Sequence, residues 1–217
     1  MTDPAVLFDL DGVLIDSVQV VERAWRRWAR EQHLDTGEVL RTVHGRRARD
    51  VVRMFAPALD PAEQVRQISG YEMADGDSGL AVIPGALECV RATRRGRWAV
   101  VTSGGRELAA QRLAAVGLAA AGIPAPGALV TGDDVERGKP DPEPYLRAAE
   151  LLGVPAAECV VVEDAPAGVL AGQRAGMTVL AVATTHPADA LTQADHVFSA
   201  MDEVAGYLSG QARSISP

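Results

Sequence analysis

The sequence predicts an α/β fold, a doubly wound parallel sheet interrupted by a helical insert. Three observations carry this expectation. Short, continuously apolar, β-rich runs recur along most of the chain; helical stretches alternate with them; and between about residues 14 and 83 only helical patterns remain. Continuous apolarity marks strands buried on both faces. Strand and helix in strict alternation make the strands parallel, joined by crossovers.

The elements follow in order. "AVLFDL" (5–10) is the first strand. The insert opens with "DSVQVVERAWRRWAREQHL", where Val20, Val21, Ala24, Trp25, Trp28 and Ala29 fall on one stripe at helical spacing. That stripe assigns both tryptophans to the insert's own core. "ADGDSGLAVIPG" (74–85), rich in Gly and Asp, returns the chain to the sheet, with hinge freedom expected near Gly76 and Gly79. Residues 1–15 and 82–217 therefore read as an α/β core and residues 16–81 as a helical domain inserted after the first strand. Beyond it, strands are read in "WAVVT" (98–102), "ALVT" (128–131), "CVVVE" (159–163), "TVLAVA" (178–183) and "HVF" (196–198). Helices are read in "GALECVRATRR", "RELAAQRLAAVG", "PEPYLRAAELLG", "APAGVLAGQRAG" and "PADALTQA", several stopped by a glycine such as Gly117, Gly153 or Gly176. "GQARSISP" reads as a frayed tail.

Composition limits the function classes. A chain of 217 residues with 47% apolar and 23% charged residues is ordinary for a globular protein. A net charge of −8 argues against nucleic acid, whose phosphate backbone needs a basic face. An anionic small molecule stays allowed if positive charge is concentrated locally. No apolar run reaches the roughly 18 residues of a membrane span, and "MTDPAVLFDLDGV" carries acids where a signal peptide carries bases. A cytoplasmic monomer or weak dimer is expected. Cys89 and Cys159 sit in apolar contexts without metal-ligand spacing and read as small buried hydrophobes.

The chemistry-bearing residues gather just past the strands. "VLFDLDGVLIDS" ends a buried strand with Asp9 and Asp11, whose charges repel unless something positive lies between them. "CVVVEDAPAG" repeats the pattern with Glu163 and Asp164. A hard cation such as Mg²⁺ takes oxygen ligands from one or two carboxylates plus phosphate and water. "WAVVTSGG" offers Thr102, then Ser103 and Gly104 at the start of a helix, where N–H groups and the dipole favour a phosphate. Lys139, in "DDVERGKPDPEPY", is the only lysine beside 20 arginines, which suits a task for a compact ammonium rather than a planar fork.

In this order the motifs resemble the haloacid dehalogenase superfamily of phosphotransferases: "DLDGVLIDS", Thr102 in "VVTSG", Lys139 in "GKP" and "EDAPAG" match its four motifs, and the insert is similar to its C1-type cap. "HGRRARD" (44–50), "GKPDPEPYL" and "EDAPAGVLAG" are similar to the small sugar-phosphate and polyol-phosphate phosphatases, those acting on glycerol phosphate or 2-deoxyglucose 6-phosphate among them. The resemblance implies a phosphoric monoester hydrolase for a small phosphorylated metabolite. Asp9 is the implied nucleophile, forming an aspartyl phosphate, and Asp11 the general acid and base. Mg²⁺ is implied on Asp9, the Asp11 carbonyl and Asp164, with Glu163 behind it or on a bound water. Thr102, Ser103, Gly104 and Lys139 are implied on the phosphoryl oxygens, with Lys139 bridging them to Asp9. Arg47 matches an arginine of those phosphatases and reads as a substrate contact, as an anchor of the cap's inner face or as a solvated helix arginine; His44 reads as a sugar-hydroxyl partner or a structural histidine. A hexose-phosphate mutase is the nearest rival, but its cap histidine is replaced by Val21 and its cap lysine has no counterpart here. A non-enzymatic phospho-accepting module takes its aspartate from a central strand rather than from the first strand of the chain, and has no cap.

Overall fold

The computed structural model describes residues 4–74, 79–93 and 97–210. Six parallel strands form the central sheet: β1 (Ala5–Phe8), β4 (Trp98–Val101), β5 (Ala128–Val130), β6 (Cys159–Glu163), β7 (Thr178–Val182) and β8 (His196–Phe198). These are the six runs read from the sequence. Their order is β5-β4-β1-β6-β7-β8, so the chain moves outward on one side of β1 and then returns to build the other.

Side chains alternate across the strands, so both sheet faces are buried. Val6, Phe8, Trp98, Val100, Val162 and Leu180 face α5 (Ala86–Arg91), α6 (Arg106–Val116) and α9 (Met201–Leu208). Ala5, Leu7, Ala99, Val101, Val161 and Val179 face α7 (Glu143–Leu152) and α8 (Pro166–Arg174). Cys89 and Cys159 are buried, as expected. Gly117 and Gly153 close α6 and α7 at φ of 68° and 64°, a backbone region that a Cβ would strain.

The inserted segment holds α1 (Val18–Glu31), α2 (Thr36–Val43), α3 (Ala48–Phe55) and α4 (Pro61–Ala74) around a separate apolar core. Trp25 and Trp28 pack edge to face at 5.4 Å, and the buried Trp28 Nε1–H donates to Gln64 Oε1 at 2.8 Å. The indole thus meets its polar need without leaving the core.

Three readings need correction. The interval 14–83 is not purely helical: β2 (Ile15–Asp16) and β3 (Ala81–Val82) pair antiparallel where the chain leaves and re-enters the sheet. "PADALTQA" forms only a 3₁₀ turn, Ala188–Leu191, because Leu191 is its one buried apolar side chain and no stripe exists to hold a longer helix. α9 was not read at all; it is held by Met201 and Val204 against α5, where Cys89 Sγ donates to the Met201 carbonyl at 3.1 Å. Gly76 and the tail beyond Gly210 lie outside the described residues.

Candidate active site

The sheet order reverses about β1, and in open parallel sheets ligands sit outside the carboxyl ends of strands at such a point. Registers pair Phe8 with Val100 and with Val162. The next residues of three adjacent strands therefore arrive at one level. Asp9 N–H bonds the Val162 carbonyl at 3.0 Å, and Thr102 N–H bonds the Val130 carbonyl at 2.9 Å, so both side chains are set by the last rungs of the sheet.

Lys139 reaches this point from the loop after β5. Its ammonium donates to Asp9 Oδ1 at 2.8 Å, Glu163 Oε1 at 2.7 Å and the Val101 carbonyl at 3.0 Å, all buried. An ammonium has three donors, and each has an acceptor here. A phosphoryl oxygen would have to displace one of them, so the geometry makes Lys139 first a holder of the nucleophile candidate. Burial opposes its charge, yet Asp9 and Glu163 keep its pKa above the ordinary lysine value. Burial pushes the Asp9 carboxyl up to about 7 against the pull of Lys139.

Glu163 is fully engaged. Oε1 also accepts from Tyr145 OH at 2.9 Å, and Oε2 accepts the N–H groups of Asp164 and Ala165 at 2.9 and 3.1 Å. It is an anchor for Lys139 more than a free ligand. Gly168 in α8 makes room for it, since a Cβ there would stand 1.7 Å from Glu163 Oε1. Gly168→Ala is expected to lower stability by about 1–3 kcal/mol through overpacking and to reduce activity with it; a urea unfolding midpoint equal to wild type would refute that view of the glycine.

Asp164 differs. Oδ2 accepts from the Thr185 hydroxyl, but Oδ1 is buried with no hydrogen-bond partner. Such orphans are rare and point to a missing partner. Burial, and then Glu163 and Asp9, raise its pKa well above the usual carboxylate range. Ligand atoms of Asp9, Glu163 and Asp164 lie within 4.8 Å of one another. Three buried carboxyl groups against one ammonium leave an electrostatic deficit of the kind a divalent cation fills, so the residues present fit such an ion.

The haloacid dehalogenase-like hydrolase family profile matches residues 4–176. The chain belongs to this family. Hexitol phosphatase A of Escherichia coli is 40% identical over 202 residues, covering 91% of this chain and 91% of that protein. Glycerol-1-phosphate phosphohydrolase 1 of Saccharomyces cerevisiae is 34% identical over 200 residues, covering 87% and 78%. Among solved structures, a hydrolase from Pseudomonas syringae superposes with a TM-score of 0.81 at 26% identity, covering 95% of this chain and 98% of that one.

In this haloacid dehalogenase-like hydrolase a cavity of about 120 Å³ opens over Asp9, between the sheet ends and the inserted helices. Asp9, Asp11, Thr102, Ser103, Gly104 and Asp164 line it from the core; Val21, Trp25, His44, Arg46, Arg47, Arg49 and Glu72 line it from the insert. Lys139 and Glu163 lie beneath it. The start of α6 needs correcting: the helix begins at Arg106, with Gly105 as its N-cap, so Ser103 and Gly104 lie on the preceding loop. There the Gly104 N–H is turned onto Thr102 Oγ1 at 3.0 Å.

Arg47 is buried, and its guanidinium holds Asp50 (Nε to Oδ2, 2.8 Å) and the core's Val135 carbonyl (Nη1, 3.0 Å). Of its three readings, burial speaks against a solvated arginine, and the anchor is the one this geometry favours. Ser103 Oγ makes a second tie, to the Gly45 carbonyl at 3.1 Å. His44 lies edge to face with His186 at 6.1 Å; burial, and then that neighbour, hold its pKa below the ordinary histidine value.

The sequence reading did not find Arg112 and Glu72. Arg112 Nη1 donates to Asp11 Oδ2 at 2.7 Å and Nη2 to Glu72 of α4, while Ser17 Oγ donates to Asp11 Oδ1 at 2.6 Å. The signal available was an arginine on the buried side of α6, in the Leu108, Arg112, Val116 spacing.

Proposed function

We propose that this chain is a Mg²⁺-dependent phosphatase that hydrolyses a small sugar or polyol phosphate through an aspartyl phosphate on Asp9. The observation that carries this reading is the convergence of Asp9, Asp164 and Lys139 under one small cavity, with Asp164 Oδ1 buried and unpartnered. Relatives named for hexitol and glycerol 1-phosphate suggest the substrate class. The cavity lies directly over Asp9 between core and insert, where a phosphate ester could reach the carboxylate.

In this mechanism an Asp9 carboxylate oxygen bonds to phosphorus as the ester P–O bond breaks, and Asp11 gives its proton to the departing alkoxide. Water then attacks phosphorus, its proton passes to Asp11, and the Asp9–phosphorus linkage breaks to release phosphate. Two easier displacements replace one difficult one. Thr102 and the Ser103–Gly104 loop would orient the phosphoryl oxygens, and Lys139 keeps Asp9 aimed. Asp9, Asp164 and the Asp11 carbonyl would hold Mg²⁺, which when bound supplies charge neutralisation for the transferring group. Residues 16–81 would act as the cap that excludes bulk water and selects the leaving group.

Phosphate release from glycerol 1-phosphate and hexitol phosphates is expected to need Mg²⁺, to fall at least ~100-fold with chelator and to return when the ion is restored. Mg²⁺ should also raise the melting temperature of the wild type and not that of Asp164→Asn, because ligands that bind only the folded state stabilise it. Undiminished turnover in chelator would overturn the cofactor assignment. A mutase would instead convert a hexose 1-phosphate to its 6-phosphate; only free phosphate is expected.

A further inference from the structure

Nothing in the fold requires a cation inside the α6 interface. Leu108, Ala109 and Val116 fill the rest of that helix's buried side, yet Arg112 is only 5% exposed. A buried charge in such a place is weak evidence of stabilisation, because desolvation offsets most of the Coulombic gain. Its contacts suggest another purpose. One nitrogen meets Asp11, in the loop after β1; the other meets Glu72, on the last helix of the insert and itself 7% exposed. Burial works against the charge of Arg112, but Asp11 and Glu72 together hold its pKa above the ordinary value, so it stays a guanidinium. Asp11 is thus gripped from both sides, Ser17 on Oδ1 and Arg112 on Oδ2. Neither oxygen can turn without breaking a charged or short hydrogen bond.

We infer that Arg112 is a positioning residue for Asp11, and that Glu72 makes this positioning depend on how the inserted helices sit on the core. The arginine, which can only donate, holds Oδ2, while the Ser17 hydroxyl can turn to accept, so Oδ1 is the oxygen that would carry the exchanged proton. Glu72 orients the guanidinium, so a shift of α4 loosens the grip on Asp11. The other polar ties described above, Ser17 to Asp11, Arg47 to Val135 and Ser103 to Gly45, lie at the start of α1 and on α3 and its approach, leaving Glu72 as the tie that α4 contributes. This inference rests on the reading of Asp11 as proton donor, and adds to it the residues that aim it.

Leaving-group chemistry tests it. Nitrophenolate departs without a proton, whereas an alkoxide needs one, and a placed general acid contributes roughly 10²–10⁴-fold. Arg112→Met should lower the single-turnover rate of phosphoryl transfer from glycerol 1-phosphate at least ~30-fold, somewhat less than the loss of the acid itself because Asp11 remains. The pre-steady-state burst of nitrophenolate from p-nitrophenyl phosphate should change less than about threefold, since that step draws little on a general acid. An arginine that gripped the phosphoryl group would cost both esters alike, and a purely structural one would cost neither selectively; either result overturns the inference. If Arg112→Met fails to fold, Glu72→Gln, which leaves the guanidinium in place, should give a smaller loss confined to the alkyl ester, and equal losses would again overturn it. Should wild type release no phosphate from either ester with Mg²⁺, the proposed function itself fails, an outcome distinct from these.

Discussion

Asp9→Asn is expected to abolish turnover, with a loss of at least about 10⁴-fold, the scale seen when an enzyme's nucleophile is removed, in a protein that still folds. The amide keeps the shape and one carbonyl acceptor for Lys139, whose donor now meets Asp9 Oδ1 at 2.8 Å. It cannot form the acyl phosphate. Stability should hold or rise, because burial already pushes the Asp9 carboxyl up to about 7 and the substitution removes one of three crowded acids. Circular dichroism melts and phosphate release measured on the same preparation separate the two effects. A variant within about a hundredfold of wild type would place the nucleophile elsewhere, since loss of a covalent nucleophile costs far more.

Lys139→Met is the second large effect, and it should appear in both stability and rate. The ammonium stands between Asp9 and Glu163, and side chains of all three residues are at most 4% exposed. Removing one partner of a buried charge cluster costs on the order of 3–5 kcal/mol. Turnover should fall about 10²–10³-fold or more, the usual cost of losing a preorganised charge at a reacting centre. The pH dependence has a definite sign. Without Lys139 the pKa values of Asp9 and Asp164, already raised in the folded state, rise further, so the folded protein binds more protons than the unfolded one above about pH 4. Stability of the variant should decline from pH 5 to pH 8, and its gap to wild type should widen. Lys139→Arg tests shape at constant charge: its fork cannot meet Asp9, Glu163 and the Val101 carbonyl from one point, and turnover is expected to fall more than tenfold, over ~1.4 kcal/mol in barrier. Steady-state kinetics equal to wild type would contradict this placement.

What the sequence made legible follows from which interactions are local. The runs ending at Phe8, Val101, Val130 and Glu163 are apolar on both faces, and only a buried parallel sheet accommodates that. Asp9, Asp164 and the single lysine stood out because each is the wrong residue type for its apolar or arginine-biased context, and Trp25 and Trp28 because they repeat at helical spacing. Arg112 had no such contrast: it is one of 20 arginines, and its partners are 40 and 101 positions away. The β2–β3 pair is two residues long on each strand and joins positions on either side of the whole insert, so no periodicity announces it. Residue type was enough to place Lys139 between Asp9 and a phosphate and Glu163 behind an ion; their full partner sets depend on the Val101 carbonyl and the Tyr145 hydroxyl, which only the folded chain brings there.

The most direct test of a covalent route through Asp9 is chemical trapping. Wild type mixed with substrate and Mg²⁺, quenched in acid within one turnover and reduced with borohydride, should yield homoserine in place of aspartate at position 9, located by peptide mass mapping. Intact aspartate at that position under conditions where phosphate is being released, or homoserine at Asp164 or Asp11 instead, would contradict the account.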